Sequence, residues 1–280
     1  MPPLGRLPLT ALRPEHVQGL YANLLERGLS ARTVQHTHRI LKEALSHAVK
    51  WRLITRNICD AVDAPRPERK EMAALDGDGV AIFLNAAEGS PYRDVFFTAL
   101  YTGLRRSEVL ALRWPDVDLE RSTIRVTAGL HRLTGMGLVL LPTKTARSRR
   151  QVTITQELVD VLRSIRGSQM MVKMELGPAW EDTGFVFTKT SGKPLDPEKV
   201  THNFTSIVRT AGLKGVRLHD LRHTHASLML QAGVHPKIVS ERLGHAGVAI
   251  TMDTYSHVLP GLQEDAAERF SKLLSGRRNG

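Results

Sequence analysis

The chain has 280 residues, with 39 Lys and Arg against 28 Asp and Glu, and a pI near 10.1. Its length suits about two domains, and a pI this basic is the electrostatic footprint of a nucleic-acid-binding protein. A hydrophobic content of 41% excludes a mainly disordered basic tail. The single cysteine, Cys59, excludes a disulfide framework and a Cys-cluster zinc site. No apolar run approaches the roughly 18 residues of a membrane span, and Met1-Pro2-Pro3-Leu4-Gly5 does not read as a signal peptide, so the expectation is a soluble, intracellular protein.

Residues 1–70 carry 12 Lys and Arg against 6 Asp and Glu. Val17, Leu20, Tyr21 and Leu24 recur at helical spacing, and Gly28 ends that helix. Ser30 can cap a second helix with Val34, Leu41, Leu45 and Ala48 on one face. The opposite face carries Arg32, His36, Arg39, Lys42 and Lys50, nearly all of one sign, as a phosphate-facing surface would. The stretch Pro65-Arg66-Pro67-Glu68-Arg69-Lys70 reads as a linker. This divides the chain into a helical unit (1–65), a linker (66–71) and a second domain (72–280).

Beyond the linker the pattern mixes helix and strand. Val95 to Leu104 reads as an apolar helix broken at Thr102-Gly103. Ile124-Arg125-Val126 and Val152-Thr153-Ile154 alternate as the two strands of a hairpin. Residues 121–150 hold seven Lys and Arg and no acid, which suits a nucleic-acid groove. Phe185-Val186-Phe187 reads as a short strand, and Asp196-Pro197 opens a helix with Val200, Phe204, Ile207 and Ala211 inward. Leu218–Gly233 and Lys237–Leu243 read as two further helices. Ala266, Phe270, Leu273 and Leu274 form a C-terminal apolar stripe suited to a protein contact. The fold class is mainly α with a small antiparallel β-sheet.

Four segments carry chemistry: Thr102-Gly103-Leu104-Arg105-Arg106-Ser107-Glu108; Thr143-Lys144-Thr145 with Arg149-Arg150; Leu218-His219-Asp220-Leu221-Arg222-His223-Thr224-His225; and Leu243-Gly244-His245 with Thr254-Tyr255-Ser256-His257. His219, His223 and His225 lack a metal-ligand spacing such as His-Glu-x-x-His. Phosphodiester transesterification without a metal needs cations on the non-bridging oxygens, a nucleophile and a proton donor for the leaving oxygen. Paired arginines, a lysine, histidines and a tyrosine can supply all three, and the acidic cluster of a two-metal nuclease is missing from these segments.

The order Arg105, Lys144, His219-x-x-Arg222, His245, Tyr255, with these flanks, resembles the tyrosine recombinases of the phage integrase type, from about residue 4 to about 260. The resemblance implies a helical core-binding domain followed by an α+β catalytic domain. It also implies site-specific cutting and rejoining of DNA through a 3′-phosphotyrosyl intermediate and a Holliday junction. By the same resemblance Arg105 and Arg222 clamp the scissile phosphate, Lys144 protonates the 5′ leaving oxygen, and His219 serves acid–base catalysis. His245 hydrogen-bonds the phosphate, Tyr255 is the nucleophile, and Glu108 buttresses the pocket. The Thr-Gly-Leu-Arg register selects Arg105 over Arg106, and His257 is structural. Arg32, Arg39, Lys42, Arg147, Arg149 and Arg150 are the expected DNA contacts. Partners are double-stranded attachment-site DNA, three further copies in a homotetramer, and an excisionase or host DNA-bending protein. No cofactor or membrane is expected. The setting is the cytoplasm of a bacterium, at the nucleoid, with the gene on a mobile element.

In such integrases a full helix normally precedes the segment resembling Pro3–Leu9, and many carry an arm-site-binding domain further upstream. The expectation is therefore a first helix lacking from the small bundle, with Val17, Leu20, Val34, Leu41 and Leu45 losing part of their cover. The alternatives are a naturally short recombinase, a DNA-binding integrase remnant deficient in recombination, a type IB topoisomerase-like enzyme, and a regulator that kept the fold without the chemistry.

Overall fold

The computed structural model describes residues 4–68, 73–143, 148–255, 267–268 and 270–271. The chain divides into two compact units, 1–71 and 72–280. In the first, α1 (Pro14–Glu26) starts on a proline and ends before Gly28, which takes the left-handed backbone. The second helix, α2 (Ala31–Lys50), is capped by Ser30, whose Oγ accepts from Thr33 N at 3.2 Å. A 3-10 turn at Ile58–Ala61 places Cys59 in the same small core. Val17, Val34 and Leu45, expected to lose cover, are buried, and Leu20 and Leu41 are partly buried. Leu4, Leu9 and Leu12 pack against this core.

The second unit is built around α3 (Gly77–Ala86), α4 (Arg93–Thr102) and α7 (Pro197–Thr210). Phe83, Phe96 and Phe204 meet there with centroids 5.1–5.9 Å apart. Tilted and edge-on pairs of this kind add about 0.5–1.5 kcal/mol each beyond their burial. Asp196 caps α7, its Oδ1 accepting from Glu198 N at 3.0 Å. The short α5 (Arg106–Leu110) follows α4 directly, and α6 (Gln156–Leu176) is a long amphipathic helix that the sequence reading did not anticipate.

Strands β1 (Val117–Asp118), β2 (Thr123–Val126) and β5 (Arg150–Thr153) form an antiparallel sheet in the order β1-β2-β5. Ile124 pairs with Val152, so both bury their side chains while Arg125 faces outward. The expected single hairpin is more elaborate. A second hairpin, β3 (Ala128–Leu133) with β4 (Gly137–Pro142), is inserted between β2 and β5. Phe185 makes only an isolated bridge to Arg113 rather than a strand.

Three helices complete the unit: α8 (Asp220–Gln231), α9 (Pro236–Leu243) and α10 (Val248–Tyr255). Ala226, Leu230, Val239, Leu243 and Tyr255 form their shared core. Most of the C-terminal stripe, including Ala266, Leu273 and Leu274, lies outside the described residues, and Phe270 is exposed. Among the described residues no helix is long and apolar enough to cross a membrane.

Candidate active site

The α4–α5 junction builds the first wall of the site. Gly103 ends α4 at φ +67°, and a Cβ there would lie 2.6 Å from His225 Cδ2 and 2.7 Å from Leu243 Cδ2. Only glycine satisfies both the backbone and the approach of α8 and α9. The turn delivers Arg105 to the N-cap of α5, where Glu108 reaches back: its Oε2 accepts from Arg105 N at 2.9 Å and its Oε1 from Arg105 Nη1 at 2.9 Å. Arg106 turns away to α7, donating to Thr201 Oγ1 at 2.6 Å.

Behind Arg105 stands a buried pair. Arg150 Nη2 donates to Glu108 Oε2 at 2.8 Å and Nη1 to Oε1 at 3.2 Å, both side chains being 6% exposed. Burial alone would raise the Glu108 pKa. The Arg150 hydrogen bonds and charge, helped by Arg105, outweigh it and hold the carboxyl below its ordinary value. Arg150 Nε also donates to Arg242 O at 2.6 Å, tying β5 to the end of α9. Arg150 was expected on the DNA face; it is instead a buried strut, because its guanidinium is consumed by Glu108 and the α9 carbonyl. Other hairpin arginines are also partnered by acids from distant segments, Arg132 by Asp196 and Arg125 by Asp116 at 3.8 Å. The one-sided basicity of residues 121–150 is thus partly neutralised in space.

Helix α8 supplies the second wall. Asp220 is buried at its first turn and accepts from Arg217 N at 2.8 Å. His219 stands at the exposed N-cap, with Arg222 and His223 one turn further along. Arg222, 3% exposed, donates from Nη1 to Gly103 O at 2.8 Å and from Nη2 to Leu243 O at 2.6 Å. Burial, and then the Arg105 charge, press its pKa down to about 9. His225 is buried, its Nδ1 2.8 Å from Leu100 O and its Nε2 3.4 Å from Arg242 Nε. Nδ1–H donates to the carbonyl and the guanidinium donates to Nε2, so this ring is neutral; burial and then Arg242 push its pKa to about 4.

The third wall is α9–α10. His245 Nδ1 lies 2.8 Å from Thr251 Oγ1. With the hydroxyl donating to Nδ1, the ring carries its proton on Nε2. Burial, then Arg222 and Arg105, lower the His245 pKa to about 4. Tyr255 closes α10, 1% exposed, with its hydroxyl 2.6 Å from His223 Nδ1. Burial raises its pKa to about 12 against the opposing pull of Arg222. The His219 pKa is also lowered, by desolvation first and then by Arg222.

The charges of Arg105 and Arg222 therefore both reach His219 and His245, and that of Arg222 reaches Tyr255. Segments from positions 103 to 255 thus meet around Arg222, which reaches Gly103 and Leu243, and around His219, His223 and Tyr255. Lys144 and Arg147 lie outside the described residues, as does His257. Arg149 is exposed beside the hairpin. In the first unit Arg32 and Arg39 are exposed on α2, while Lys42 is held by Asp60 at 2.8 Å. Sequence reasoning missed the engagement of Glu108 by Arg150 and that of Tyr255 by His223. Glu108 and Arg150 are 42 positions apart, and no local pattern signals the link.

Comparison with known proteins supplies the family. Residues 74–261 match the phage integrase family. An integrase of Saccharopolyspora erythraea is 28% identical over 99% of this chain and 75% of its own. The ICEBs1 integrase of Bacillus subtilis (strain 168) is 30% identical over 90% of this chain and 68% of its own. A structure of the Tn1549 transposon integrase in complex with circular intermediate DNA superposes with a TM-score of 0.81 at 23% identity, covering 95% of this chain and 88% of that one. A λ integrase tetramer bound to a Holliday junction superposes with a TM-score of 0.62 at 19% identity, covering 90% and 67%. The cluster of arginines, histidines and one buried tyrosine thus sits in a chain that belongs to the phage integrase family and is a tyrosine-type site-specific DNA recombinase.

Proposed function

We propose that Tyr255 is the nucleophile of this recombinase and that Arg105 and Arg222 bind the scissile phosphate. The observation that carries this reading is geometric: Arg222 spans Gly103 O and Leu243 O, Glu108 holds Arg105 two residues beyond that same Gly103, and α8 also sets His223 against the Tyr255 hydroxyl. Two pre-positioned cations stabilise the pentacoordinate phosphorane, whose charge exceeds that of the ground state, so they favour the transition state over the substrate. Glu108 and Arg150 keep Arg105 in place, so it need not reorganise during reaction.

His245, with its proton on Nε2, donates to a non-bridging oxygen. His219, at the exposed start of α8, exchanges protons at the reacting phosphate. Lys144 protonates the departing 5′ oxygen. Tyr255 Oη bonds to phosphorus and displaces that oxygen, leaving a 3′-phosphotyrosyl link. The phosphodiester energy is retained in this link, so religation to a new 5′ end needs no nucleotide hydrolysis. Arg32, Arg39, Arg147 and Arg149 contact the duplex backbone, a salt-dependent, sequence-independent source of affinity. The Tn1549 and λ integrase complexes with DNA, the latter tetrameric on a Holliday junction, support assembly of four copies of this chain on two attachment sites. An excisionase or a host DNA-bending protein sets the direction of the reaction. The setting is the cytoplasm, at the nucleoid, where bacterial chromosomal DNA lies; similarity to integrases of Bacillus subtilis and of a Staphylococcus phage supports a bacterial or phage origin.

The test uses a duplex selected for binding from a random-sequence DNA pool and then nicked near the cleavage position. Arg105→Gln and Arg222→Gln should each slow covalent attachment by about 10²–10³-fold. Duplex affinity should change only a few-fold. Near wild-type attachment by either variant would remove that arginine from the clamp.

A further inference from the structure

We propose that His223 is the proton acceptor for Tyr255, taking the phenolic proton at Nδ1 as the tyrosine attacks phosphorus. The inference rests on Tyr255 being the nucleophile, and it names a residue to which the reading above gives no role. The observation is a 2.6 Å approach of the Tyr255 hydroxyl to His223 Nδ1, with ring centroids 5.7 Å apart. This is the only side-chain hydrogen bond recorded for Tyr255 among the described residues. It joins α8 to the last residue of α10. A general base must lie within about 2.6–3.2 Å of the proton it takes, and His223 meets that condition before any substrate arrives.

The surroundings keep the ring uncharged. His219 packs edge-on against the His223 ring at 5.1 Å, and Arg222, Arg217 and His245 add positive or titratable neighbours, with Asp220 as the opposing acid. Burial leads, and these neighbours follow, in keeping the imidazole neutral, with a pKa near 4. In the tautomer that carries its proton on Nε2, this neutral ring accepts from the Tyr255 hydroxyl at Nδ1. The phenol, raised to about 12 by burial, keeps its proton at rest. The resting pair is therefore poised without being ionised, and reactive phenolate does not accumulate.

The step balances. As the Oη–P bond forms, the phenolic oxygen loses electron density and its proton passes to His223 Nδ1. The P–O5′ bond breaks, and the 5′ oxygen takes a proton from the leaving-group acid. In religation the 5′ hydroxyl attacks phosphorus and returns its proton to the conjugate base of the leaving-group acid, the Oη–P bond breaks, and Tyr255 recovers its proton from the His223 imidazolium. Return of the same proton makes cleavage and rejoining symmetrical, as a recombinase requires.

The experiment isolates nucleophile activation. The selected duplex carries a 5′-bridging phosphorothiolate at the cleavage position, so that the leaving thiolate needs no acid. His223→Gln, His223→Asn and His223→Ala are compared with the wild type and with Tyr255→Phe between pH 6 and 10. The expected result is adduct formation slowed about 10²–10⁴-fold at pH 7. The deficit should narrow as rising pH ionises Tyr255 directly, and added imidazole should restore part of the rate in His223→Ala. Rates within threefold of wild type, faster cleavage, or a deficit constant across pH and unmoved by imidazole would overturn the proposal. So would loss of duplex binding in all three variants, which would assign His223 to packing. Adduct formed by Tyr255→Phe would instead remove the tyrosine itself from its role.

Discussion

Glu108 and Arg150 meet behind Arg105 as a two-pronged ion pair, with contacts of 2.8 and 3.2 Å and both side chains only 6% exposed. Glu108 also closes the N-terminus of α5 and holds Arg105, so one carboxylate links the catalytic wall to the sheet. Removing it strands a buried guanidinium. Glu108→Ala should lower unfolding stability by about 3–5 kcal/mol, the usual cost of breaking one side of a buried pair. Urea denaturation of the full chain reads this directly, and a loss below about 1 kcal/mol would mean that solvent reaches Arg150.

Gly103 and Gly19 make a paired test of backbone constraint. Gly103 is left-handed, and an added Cβ would press on His225 and Leu243. Gly103→Ala should therefore destabilise by about 2–4 kcal/mol through strain and overpacking. Gly19 lies within α1 with nothing within 4 Å of an added Cβ. Gly19→Ala should stabilise its helix by about 0.5–1 kcal/mol. Thermal melts of the two variants should move in opposite directions.

The split between what the sequence displays and what only the fold assembles follows chain distance. Helices α1, α2, α4 and α7 are legible because their caps and apolar spacings are local: Ser30 before Ala31, Gly103 after Thr102, Asp196 before Pro197. The inserted β3–β4 hairpin is hidden, because Gly-Leu-Val-Leu-Leu in β4 is an apolar run without alternation and its tip is set by Gly135 and Gly137 at positive φ. Helix α6 is masked by a polar, methionine-rich surface, with Met170, Met171 and Met174 exposed. Arg105, His219, Arg222, His245 and Tyr255 sit in short recognisable segments. Arg150 looks like any basic surface residue until β5 folds against α9 and buries it.

Stability should fall on mild acidification. The His225 pKa in the folded chain, about 4, lies below its ordinary value of 6.5. The unfolded state then binds more protons across that interval. Stability present above pH 6.5 is lost as the pH drops toward 4, by about 3 kcal/mol from this buried ring. Glu108, whose pKa is also lowered, adds to the loss at still lower pH. His225→Gln should remove this ring's share of the pH dependence of the urea midpoint between 6.5 and 4, leaving the shares of His223 and His245, whose pKa values are also lowered to about 4. An unchanged slope would mean that His225 titrates normally.

In the proposed clamp the phosphate charge is met by guanidinium groups, with Arg222 fixed by two backbone carbonyls and Arg105 by Glu108. Cleavage of the selected duplex should therefore persist, within about threefold, in EDTA and without nucleotide, because the cations that stabilise the transition state are covalent parts of the chain. An absolute dependence of adduct formation on added magnesium would contradict this assignment.

The identity of the attacking group is tested most directly by trapping. A nicked suicide duplex, from which the cleaved strand diffuses away, is incubated with the wild type and with Tyr255→Phe and resolved on a denaturing gel. The wild type should yield a protein–DNA adduct whose modified peptide contains Tyr255, and the variant should bind the duplex with near-equal affinity and yield none. A covalent adduct of Tyr255→Phe, or one mapped to Tyr21, Tyr92 or Tyr101, would contradict the account.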